Sequence, residues 1–179
     1  MRRWQDEGLA LPAIAVNISA IQLRQKGFLN NIKAMLREEG LSPQQLELEL
    51  TESLLISNAD VMLLMLQEMK EMGLKLLIDD FGTGYSSLSY LRRFPVHKLK
   101  IDQSFVRDLT LDPDDDAITG AIISMAKALN LKVIAEGVET EQQVSFLRRH
   151  DCDEAQGYYF SVPLQAEAFA KKIREDARA

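Results

Sequence analysis

The stretch LKLLIDDFGTGYSSL, residues 74–88, joins an apolar run to two adjacent aspartates, Asp79 and Asp80, and then to a Gly-Thr-Gly turn. An apolar run of this length, bounded by a glycine-containing turn, predicts a buried β-strand. Further along the chain, KLKID (residues 98–102) places Lys100 inside a second strand-like run. Because charged side chains are rarely buried unless they are paired, charges at these positions indicate a functional site.

Short runs rich in Val, Ile and Leu alternate along the chain with segments whose apolar residues recur at helical spacing. The six strand-like runs are AIAVNIS (13–19), LELELTE (46–52), LKLLIDD (74–80), HKLKID (97–102), LKVIAEGV (131–138) and EAQGYYF (154–160). The helical segments are MRRWQDEG (1–8), IQLRQKGFLNNIKAMLREEG (21–40), VMLLMLQEMKEMG (61–73), AITGAIISMAKALN (117–130), TEQQVSFLRRH (140–150) and AEAFAKKIRED (166–176). Repeated βα units predict an α/β fold with parallel strands, either a doubly wound sheet or a (β/α)8 barrel.

The number of predicted strands bears on the domain boundaries. Six strands are fewer than the eight of a closed barrel, and such barrels typically have about 250 residues. The segment 1–8 resembles the last turns of a helix and has neither a capping residue nor a preceding strand. We therefore expect residues 1–179 to belong to a single domain whose first strands are missing.

The composition is typical of one soluble globular domain. The chain has 179 residues, of which 46% are hydrophobic and 27% are charged. Its formal net charge of -6 disfavours a nucleic-acid polymer as a partner, because such partners usually require a basic face. Cys152 is the only cysteine, which excludes an internal disulfide. Because neither a signal peptide nor an apolar run of about 20 residues is visible, we expect a cytoplasmic protein with no membrane segment.

Every strand-like run ends on side chains that can bind a metal ion or transfer a proton. These side chains are Asn17, Glu49 and Glu52, Asp79 and Asp80, Lys100 and Asp102, Glu136 and Glu139, and Gln156. In parallel sheets and barrels the carboxyl ends of the strands form the active face, so residues distant in sequence converge there. The pattern therefore predicts one polar site at this end of the sheet.

Strand alternation predicts that the polar faces of these strands point inwards. In ELELT, Glu47, Glu49 and Thr51 share one face while the leucines take the other, and KLKID repeats the arrangement with Lys98 and Lys100. Solvated edge strands would explain one such run, but they explain several in succession poorly.

Carboxylates gathered in one pocket require cations. Two like charges about 4 Å apart repel by roughly 4 kcal/mol at an effective dielectric near 20. With one cysteine and two histidines in the chain, the ligands would be oxygen atoms, which favours Mg²⁺ or Mn²⁺ over zinc. Asp79 or Asp80 would bridge two metal ions, as in phosphodiester hydrolysis, with Lys100 holding the attacking water or offsetting the developing charge. The same residues also fit a metal-dependent barrel that removes a proton next to a carboxylate with Lys100 as the base.

Longer motifs resemble one protein family. The strings VNIS, ELELTES, IDDFGTGYSSL, KLKID, VIAEGVET and CDEAQGYYF occur in the order and spacing of the EAL domain, a bacterial phosphodiesterase domain that converts cyclic di-GMP to linear pGpG. The resemblance covers essentially the whole chain and implies a (β/α)8 TIM-like barrel with a two-metal site for Mg²⁺ or Mn²⁺. It also implies a homodimer, often fused to or associated with sensory or GGDEF domains.

The resemblance implies roles for the polar residues at the strand ends. It implies two sets of metal ligands: Asn17, Glu49 and Asp79 for one ion, and Asp79, Asp80 and Glu136 for the other. It implies catalytic roles for two residues: Lys100, near the bridging water, and Glu52, which would steady the DFGTGYSSL loop. It implies positions near the substrate or its loops for Asp102, Gln156, Glu139 and Thr51.

The sequence departs from the family pattern in one respect. The Glu-Ala-Leu motif that names the family does not occur upstream of Asn17. In the family this motif supplies a metal-binding glutamate on an early strand, so we expect the chain to be the C-terminal portion of the domain. Two functions are therefore compatible with the sequence: hydrolysis of cyclic di-GMP, and a non-catalytic cyclic di-GMP receptor or regulatory module.

Overall fold

The fold is built on one parallel β-sheet. The computed structural model of the protein describes residues 1–9, 13–56, 59–84 and 88–176. The six strands in these residues are β1 (Ile14–Asn17), β2 (Leu46–Thr51), β3 (Lys75–Phe81), β4 (Lys98–Ile101), β5 (Lys132–Ala135) and β6 (Glu154–Ala155). They are hydrogen-bonded in sequence order, and every neighbouring pair is parallel. Each predicted strand-like run contains a strand, and the predicted α/β class is confirmed.

Helices connect consecutive strands and cover the sheet. The described residues form ten α-helices: α1 (Arg2–Asp6), α2 (Ala20–Leu23), α3 (Phe28–Glu38), α4 (Glu52–Ile56), α5 (Ala59–Glu71), α6 (Leu88–Leu91), α7 (Gln103–Arg107), α8 (Pro113–Ala128), α9 (Glu141–Arg149) and α10 (Ala166–Asp176). A 3₁₀ helix, Pro43–Gln45, precedes β2. In the described part of the chain, no helix combines the length and hydrophobicity that a membrane span requires.

The sheet is curled. Neighbouring strands lie about 4.8 Å apart, so in a flat sheet β2 and β6 would be separated by about 19 Å. Lys98 Nζ on β4 nevertheless lies 3.2 Å from Glu47 Oε2 on β2 and 3.0 Å from Glu154 Oε1 on β6. The concave face must therefore bring these strands together, as in part of a TIM-like barrel. Closure into eight strands is not seen among the described residues, where β1 and β6 form the two edges.

The convex face of the sheet forms the hydrophobic core with the helices. Leu50 on β2, Leu99 on β4 and Val133 on β5 are completely buried there. The methionine-rich helix α5 packs on β3 and contributes Leu66 and Met69, which are also completely buried. Alternation along the strands thus places one set of apolar side chains outwards against the helices, while the concave face carries charged side chains together with Leu77 and Ile134.

Three short helices, α4, α6 and α7, were not predicted, and two of the predicted helical segments have clearly different boundaries. The predicted helix at residues 21–40 is two helices, α2 and α3, because Gly27 between them has a left-handed φ of 81°. Helix α8 begins at Pro113 instead of Ala117. The Asp112 side chain accepts a hydrogen bond from the backbone N–H of Asp114, and proline suits the first helical position because its missing N–H is not needed there.

The packing of α5 predicts different effects for two leucines of the same helix. Leu66 is completely buried, whereas Leu64 is 68% exposed. We expect Leu66→Ala to lower the free energy of unfolding by about 2–5 kcal/mol, because it removes buried methyl groups and leaves a cavity. Leu64→Ala is the matched control and should change that free energy by less than about 0.5 kcal/mol. Urea unfolding followed by circular dichroism measures both values, and equal destabilisation would contradict this packing.

Candidate metal and catalytic site

The end of β3 contains an irregularity that redirects two adjacent carboxylates. Between Ile78 and Phe81, β3 advances by three residues while β4 advances by two, so β3 carries one extra residue. Asp80 lies in this bulge with a left-handed φ of 54°. Consecutive residues of a regular strand point to opposite faces, but a bulge bends the strand and redirects a side chain. As a result, carboxylate oxygens of Asp79 and Asp80 both approach Glu136.

Lys100 lies at the centre of a buried ionic cluster. Its Nζ lies 2.8 Å from Glu49 Oε2, 3.0 Å from Asp79 Oδ1 and 2.6 Å from Glu136 Oε1. The side chain of Lys100 is only 5% exposed. One ammonium group therefore faces three carboxylates that come from β2, from β3 and from the residue after β5. These four residues are called the Lys100 cluster below.

Burial and charge oppose each other in the Lys100 cluster. Burial alone would lower the pKa of Lys100, but hydrogen bonds to Glu136 and Glu49 outweigh it and raise the pKa above the usual range for lysine. Burial raises the pKa of Glu136, although Lys100 acts in the opposite direction. Burial, and next the charge of Asp79, raises the pKa of Asp80. Burial is thus the main cause of both raised carboxyl pKa values, and neighbouring carboxylates act in the same direction.

Asp79, Asp80 and Glu136 form a group that fits a divalent cation. One carboxylate oxygen of each residue lies within 4.8 Å of the other two. This spacing matches oxygen ligands around one ion at metal–oxygen distances of about 2.0–2.6 Å. Gln156 Nε2 donates a hydrogen bond of 2.8 Å to Glu136 Oε1, which orients that carboxylate. A set made only of oxygen atoms suits a hard cation such as Mg²⁺, Mn²⁺ or Ca²⁺.

Strands β1 and β2 place two further candidate residues beside the Lys100 cluster. Asn17, at the end of β1, is paired in register with Glu49, and the next backbone N–H, of Ile18, donates to the Glu49 carbonyl oxygen at 2.9 Å. Thr51, the last residue of β2, is paired in register with Asp79. Asn17 is exposed because β1 is an edge strand, whereas Glu49 is buried.

Glu52 anchors the turn that follows β3. It is 2% exposed at the start of α4, and its Oε2 accepts a hydrogen bond of 2.8 Å from the backbone N–H of Gly82. Its other oxygen, Oε1, has no hydrogen-bond partner among the described residues. A Cβ at Gly84 would lie 2.8 Å from Oε1, so glycine is needed there to let the turn approach. Residues 85–87 of the predicted DFGTGYSSL loop lie outside the described residues.

Two other predicted site residues take part in local hydrogen bonds at the starts of helices. Asp102 follows β4 and caps α7, where its side chain accepts a hydrogen bond of 2.9 Å from the backbone N–H of Ser104. Glu139 is exposed in the loop before α9, and its backbone N–H donates to Gln143 Oε1 at 2.7 Å. Among the described residues, no ion pair connects either carboxylate to the cluster.

The concave face also holds a cavity and a second ionic layer. The cavity, of about 780 Å³, extends from Glu49 and Gln156 towards the amino-terminal ends of the strands. Its wall includes Glu47, Lys98 and Glu154, called the lower ionic layer below. The sequence indicated that Glu47 and Lys98 face inwards, but not that they pair with each other or with Glu154. The sequence feature that could have indicated this layer is spacing, because Glu47, Lys98 and Glu154 each lie two residues before a predicted site residue.

The match to a family model agrees with this arrangement. The family model described as EAL domain matches residues 1–163 of the chain. The chain belongs to the EAL domain family. The resemblance inferred from the sequence motifs is therefore confirmed.

Relatives of this EAL domain are longer proteins. The bifunctional diguanylate cyclase/cyclic di-GMP phosphodiesterase MucR of Pseudomonas aeruginosa is 47% identical over 173 residues, which cover 97% of this chain and 25% of MucR. The cyclic di-GMP phosphodiesterase PdeR of Escherichia coli is 43% identical over 169 residues, which cover 94% of this chain and 25% of PdeR. The chain therefore spans about a quarter of the length of these two relatives.

Solved structures of EAL proteins share the fold. The MucR phosphodiesterase in complex with c-di-GMP has a TM-score of 0.90 at 46% identity, covering 94% of this chain and 68% of that chain. Klebsiella pneumoniae BlrP1, in a complex with manganese and cyclic di-GMP, has a TM-score of 0.82 at 32% identity, covering 90% of this chain and 42% of that chain.

The Lys100 cluster predicts that a divalent cation and the Lys100 ammonium compensate the same carboxylates. Without added metal, Lys100→Met should lower the free energy of unfolding by about 3–5 kcal/mol, because it leaves buried carboxylates unpaired. Mn²⁺ should then raise the melting temperature of this variant more than that of the wild type, since ligand binding to the folded state stabilises it. Differential scanning fluorimetry with EDTA or Mn²⁺ measures both effects.

A surface lysine provides the control for this measurement. Lys127 forms an exposed ion pair with Asp151 at 3.2 Å, so Lys127→Met should respond to Mn²⁺ like the wild type. A metal-induced shift no larger in Lys100→Met than in Lys127→Met would contradict the prediction.

Proposed function

We propose that the chain acts as a metal-dependent cyclic di-GMP phosphodiesterase domain that hydrolyses the cyclic dinucleotide to linear pGpG. The observation that carries this proposal is the contact of the Lys100 ammonium with three carboxylates, two of which also belong to the cation-sized group of Asp79, Asp80 and Glu136. The names of MucR and PdeR, both cyclic di-GMP phosphodiesterases, support the choice of substrate.

The site would hold two divalent ions, Mg²⁺ or Mn²⁺. We assign Asp79, Asp80 and Glu136 to one ion, and Asn17, Glu49 and Asp79 to the other. The all-oxygen donor set supports this choice, and so does the manganese in the BlrP1 complex. When bound, such ions supply Lewis-acid stabilisation of the negative charge that develops on a phosphodiester.

Lys100 would act as a fixed positive charge. In the hydrolysis, a water oxygen forms a bond to phosphorus, the bond from phosphorus to the 3′ oxygen of one ribose breaks, and that oxygen receives a proton. An ammonium surrounded by three carboxylates keeps its proton, so Lys100 suits a donor role better than that of a base. It would hold the attacking water and offset charge on the phosphoryl oxygens. The proton-abstraction alternative, which needs Lys100 as the base, is therefore disfavoured.

Five further residues would support the reaction. Gln156 would orient Glu136 through the hydrogen bond of 2.8 Å and contact the substrate, and Glu52 would hold the turn after β3 through Gly82. Substrate or loop contacts would come from the remaining three residues, Asp102, Thr51 and Glu139.

The family resemblance also suggests the wider setting of the domain. We propose that the six strands correspond to part of a (β/α)8 barrel and that the domain acts in the cytoplasm as a homodimer with sensory or GGDEF domains. The greater length of MucR and PdeR, and the diguanylate cyclase function in the name of MucR, support the presence of such domains.

Hydrolysis is tested by incubating the purified protein with cyclic di-GMP and Mg²⁺ or Mn²⁺ and following pGpG by chromatography. We expect metal-dependent turnover in the wild type. Glu49→Ala and Lys100→Ala should each lower kcat/KM by about 100-fold or more, because each removes a charged group that contacts the reacting centre. Glu38→Ala, on the exposed surface of α3, is the control and should leave turnover unchanged.

Two outcomes would contradict the proposal. Retained turnover in both site variants would show that the Lys100 cluster is not the catalytic centre. Tight binding of cyclic di-GMP by the wild type without metal-dependent hydrolysis would instead favour the non-catalytic receptor.

A further inference from the structure

The lower ionic layer is largely buried at Glu47 and Lys98 and reaches the surface at Glu154, whose side chain is 40% exposed. Lys98 Nζ lies 3.2 Å from Glu47 Oε2 and 3.0 Å from Glu154 Oε1. The side chains of Glu47 and Lys98 are only 7% and 13% exposed, unlike those of surface ion pairs. Lys75 Nζ also approaches Glu47 Oε1, at 3.4 Å, but its side chain is 38% exposed. Lys98 is thus the lysine that joins both glutamates.

The lower ionic layer lies directly beneath the candidate site. Residues i and i+2 of a strand share one face and are about 6.5 Å apart along the strand. Each member of the layer precedes a site residue by two positions on the same face: Glu47 precedes Glu49, Lys98 precedes Lys100, and Glu154 precedes Gln156. The same three chain segments therefore supply both levels.

Lys98 connects three strands that share no backbone hydrogen bonds with one another. In the sheet order, β3 separates β2 from β4, and β5 separates β4 from β6. Backbone hydrogen bonds fix neighbouring strands but tolerate a range of twist, so side-chain contacts across the concave face further restrict the curvature over β2, β4 and β6. A change in that curvature would alter the 2.8 Å contacts from Lys100 to Glu49 and from Gln156 to Glu136.

The lower ionic layer contributes to the positions of the strands more than to the stability of the fold. Burial lowers the pKa of Lys98, but hydrogen bonds to Glu154 and Glu47 outweigh it and raise the pKa above its usual range. Well-packed apolar residues often replace buried ion pairs without loss of stability. Apolar residues would fill the space without fixing distances, whereas three charges held at hydrogen-bond length define where each strand lies.

We propose that Lys98 is a positioning residue: by joining Glu47 to Glu154 it sets the spacing of β2, β4 and β6, and so holds Glu49, Lys100 and Gln156 in their working geometry. The Mn²⁺ affinity and kinetic parts of its test rest on the proposed phosphodiesterase function, whereas the structural part does not.

The test compares four variants of the purified protein with the wild type. Lys98→Met removes the charge at similar length, and Lys98→Arg keeps it. Glu154→Gln weakens the contact between Lys98 and Glu154. Because Glu154 is partly exposed, this variant should fold even if Lys98→Met does not, and it can then replace Lys98→Met in the test. Lys75→Met is the matched control, because it removes the other lysine that contacts Glu47 without breaking the connection to Glu154.

Three readouts are made well below the melting temperature of each variant. Lys98→Met should raise the Kd for Mn²⁺, measured by calorimetry without substrate, about 10-fold, as does loss of groups that orient metal ligands. It should lower kcat for cyclic di-GMP by about 10- to 100-fold with little change in KM, since misplacement by about 1 Å has effects of this size. In its crystal structure, the Lys100 Nζ to Glu49 Oε2 separation should exceed 2.8 Å by about 1 Å.

The variants separate positioning from stability. Lys98→Arg should recover most of the Mn²⁺ affinity and kcat, Glu154→Gln should show a smaller change in the same direction, and Lys75→Met should resemble the wild type. The proposal is overturned if Lys98→Met, or Glu154→Gln in its place, keeps wild-type affinity, kcat and separation. It is also overturned if Lys75→Met reproduces the Lys98→Met changes, because loss of any nearby charge would then suffice.

Failure of the proposed function gives a different result. If the wild type neither binds Mn²⁺ nor hydrolyses cyclic di-GMP, the function is wrong, and the Lys100 to Glu49 separation in the variant structure still decides the positioning role. If the wild type hydrolyses the substrate and Lys98→Met does so equally well with an unchanged separation, only the positioning role is wrong.

Discussion

The arrangement of the concave face depends on the contact of one lysine with three carboxylates. Lys100 lies within 3.0 Å of Glu49, Asp79 and Glu136 in a place that water barely reaches. Removing an ion from water is costly, and the cost is recovered only with good geometry and nearly complete pairing. Lys100 satisfies that condition in part, since one positive charge faces three acidic groups. The remaining negative charge favours a divalent cation at Asp79, Asp80 and Glu136, two of which contact Lys100.

The strands satisfy two requirements at once because their side chains alternate. On β2, Leu48 and Leu50 face the helices and are buried in the core, while Glu47 and Glu49 face the concave side. The apolar side chains provide the burial that drives folding, and the charged ones provide a site that contributes little net stability. A shift of register by one residue would exchange the two faces, so the apolar pattern that fixes the core also fixes the orientation of the site.

Much of the architecture was predictable because it follows from local pattern. All six strands and the family were predicted from apolar runs and motifs, and these predictions are confirmed. The bulge that turns Asp80 into a left-handed conformation was not visible, because its extra residue is defined only against the register of β4. Gly27 could have indicated the break between α2 and α3, because glycine tolerates a positive φ. The break was not predicted because the apolar residues on both sides of Gly27 have helical spacing. Pairing of Lys98 with Glu154 requires curvature, which no local pattern encodes.

The curvature of the sheet therefore connects its fold to its chemistry. Hydrogen bonds between neighbouring strands define a ladder but tolerate a range of twist and coiling. Helices on the convex face restrict that range from outside, and the lower ionic layer restricts it from inside, because Lys98 reaches both Glu47 and Glu154 only when the strands curl. The distance from Lys100 to the carboxylates above then follows from the same curl. In this arrangement the lower ionic layer sets the geometry of the site, although its residues do not contact the reacting groups of the proposed reaction.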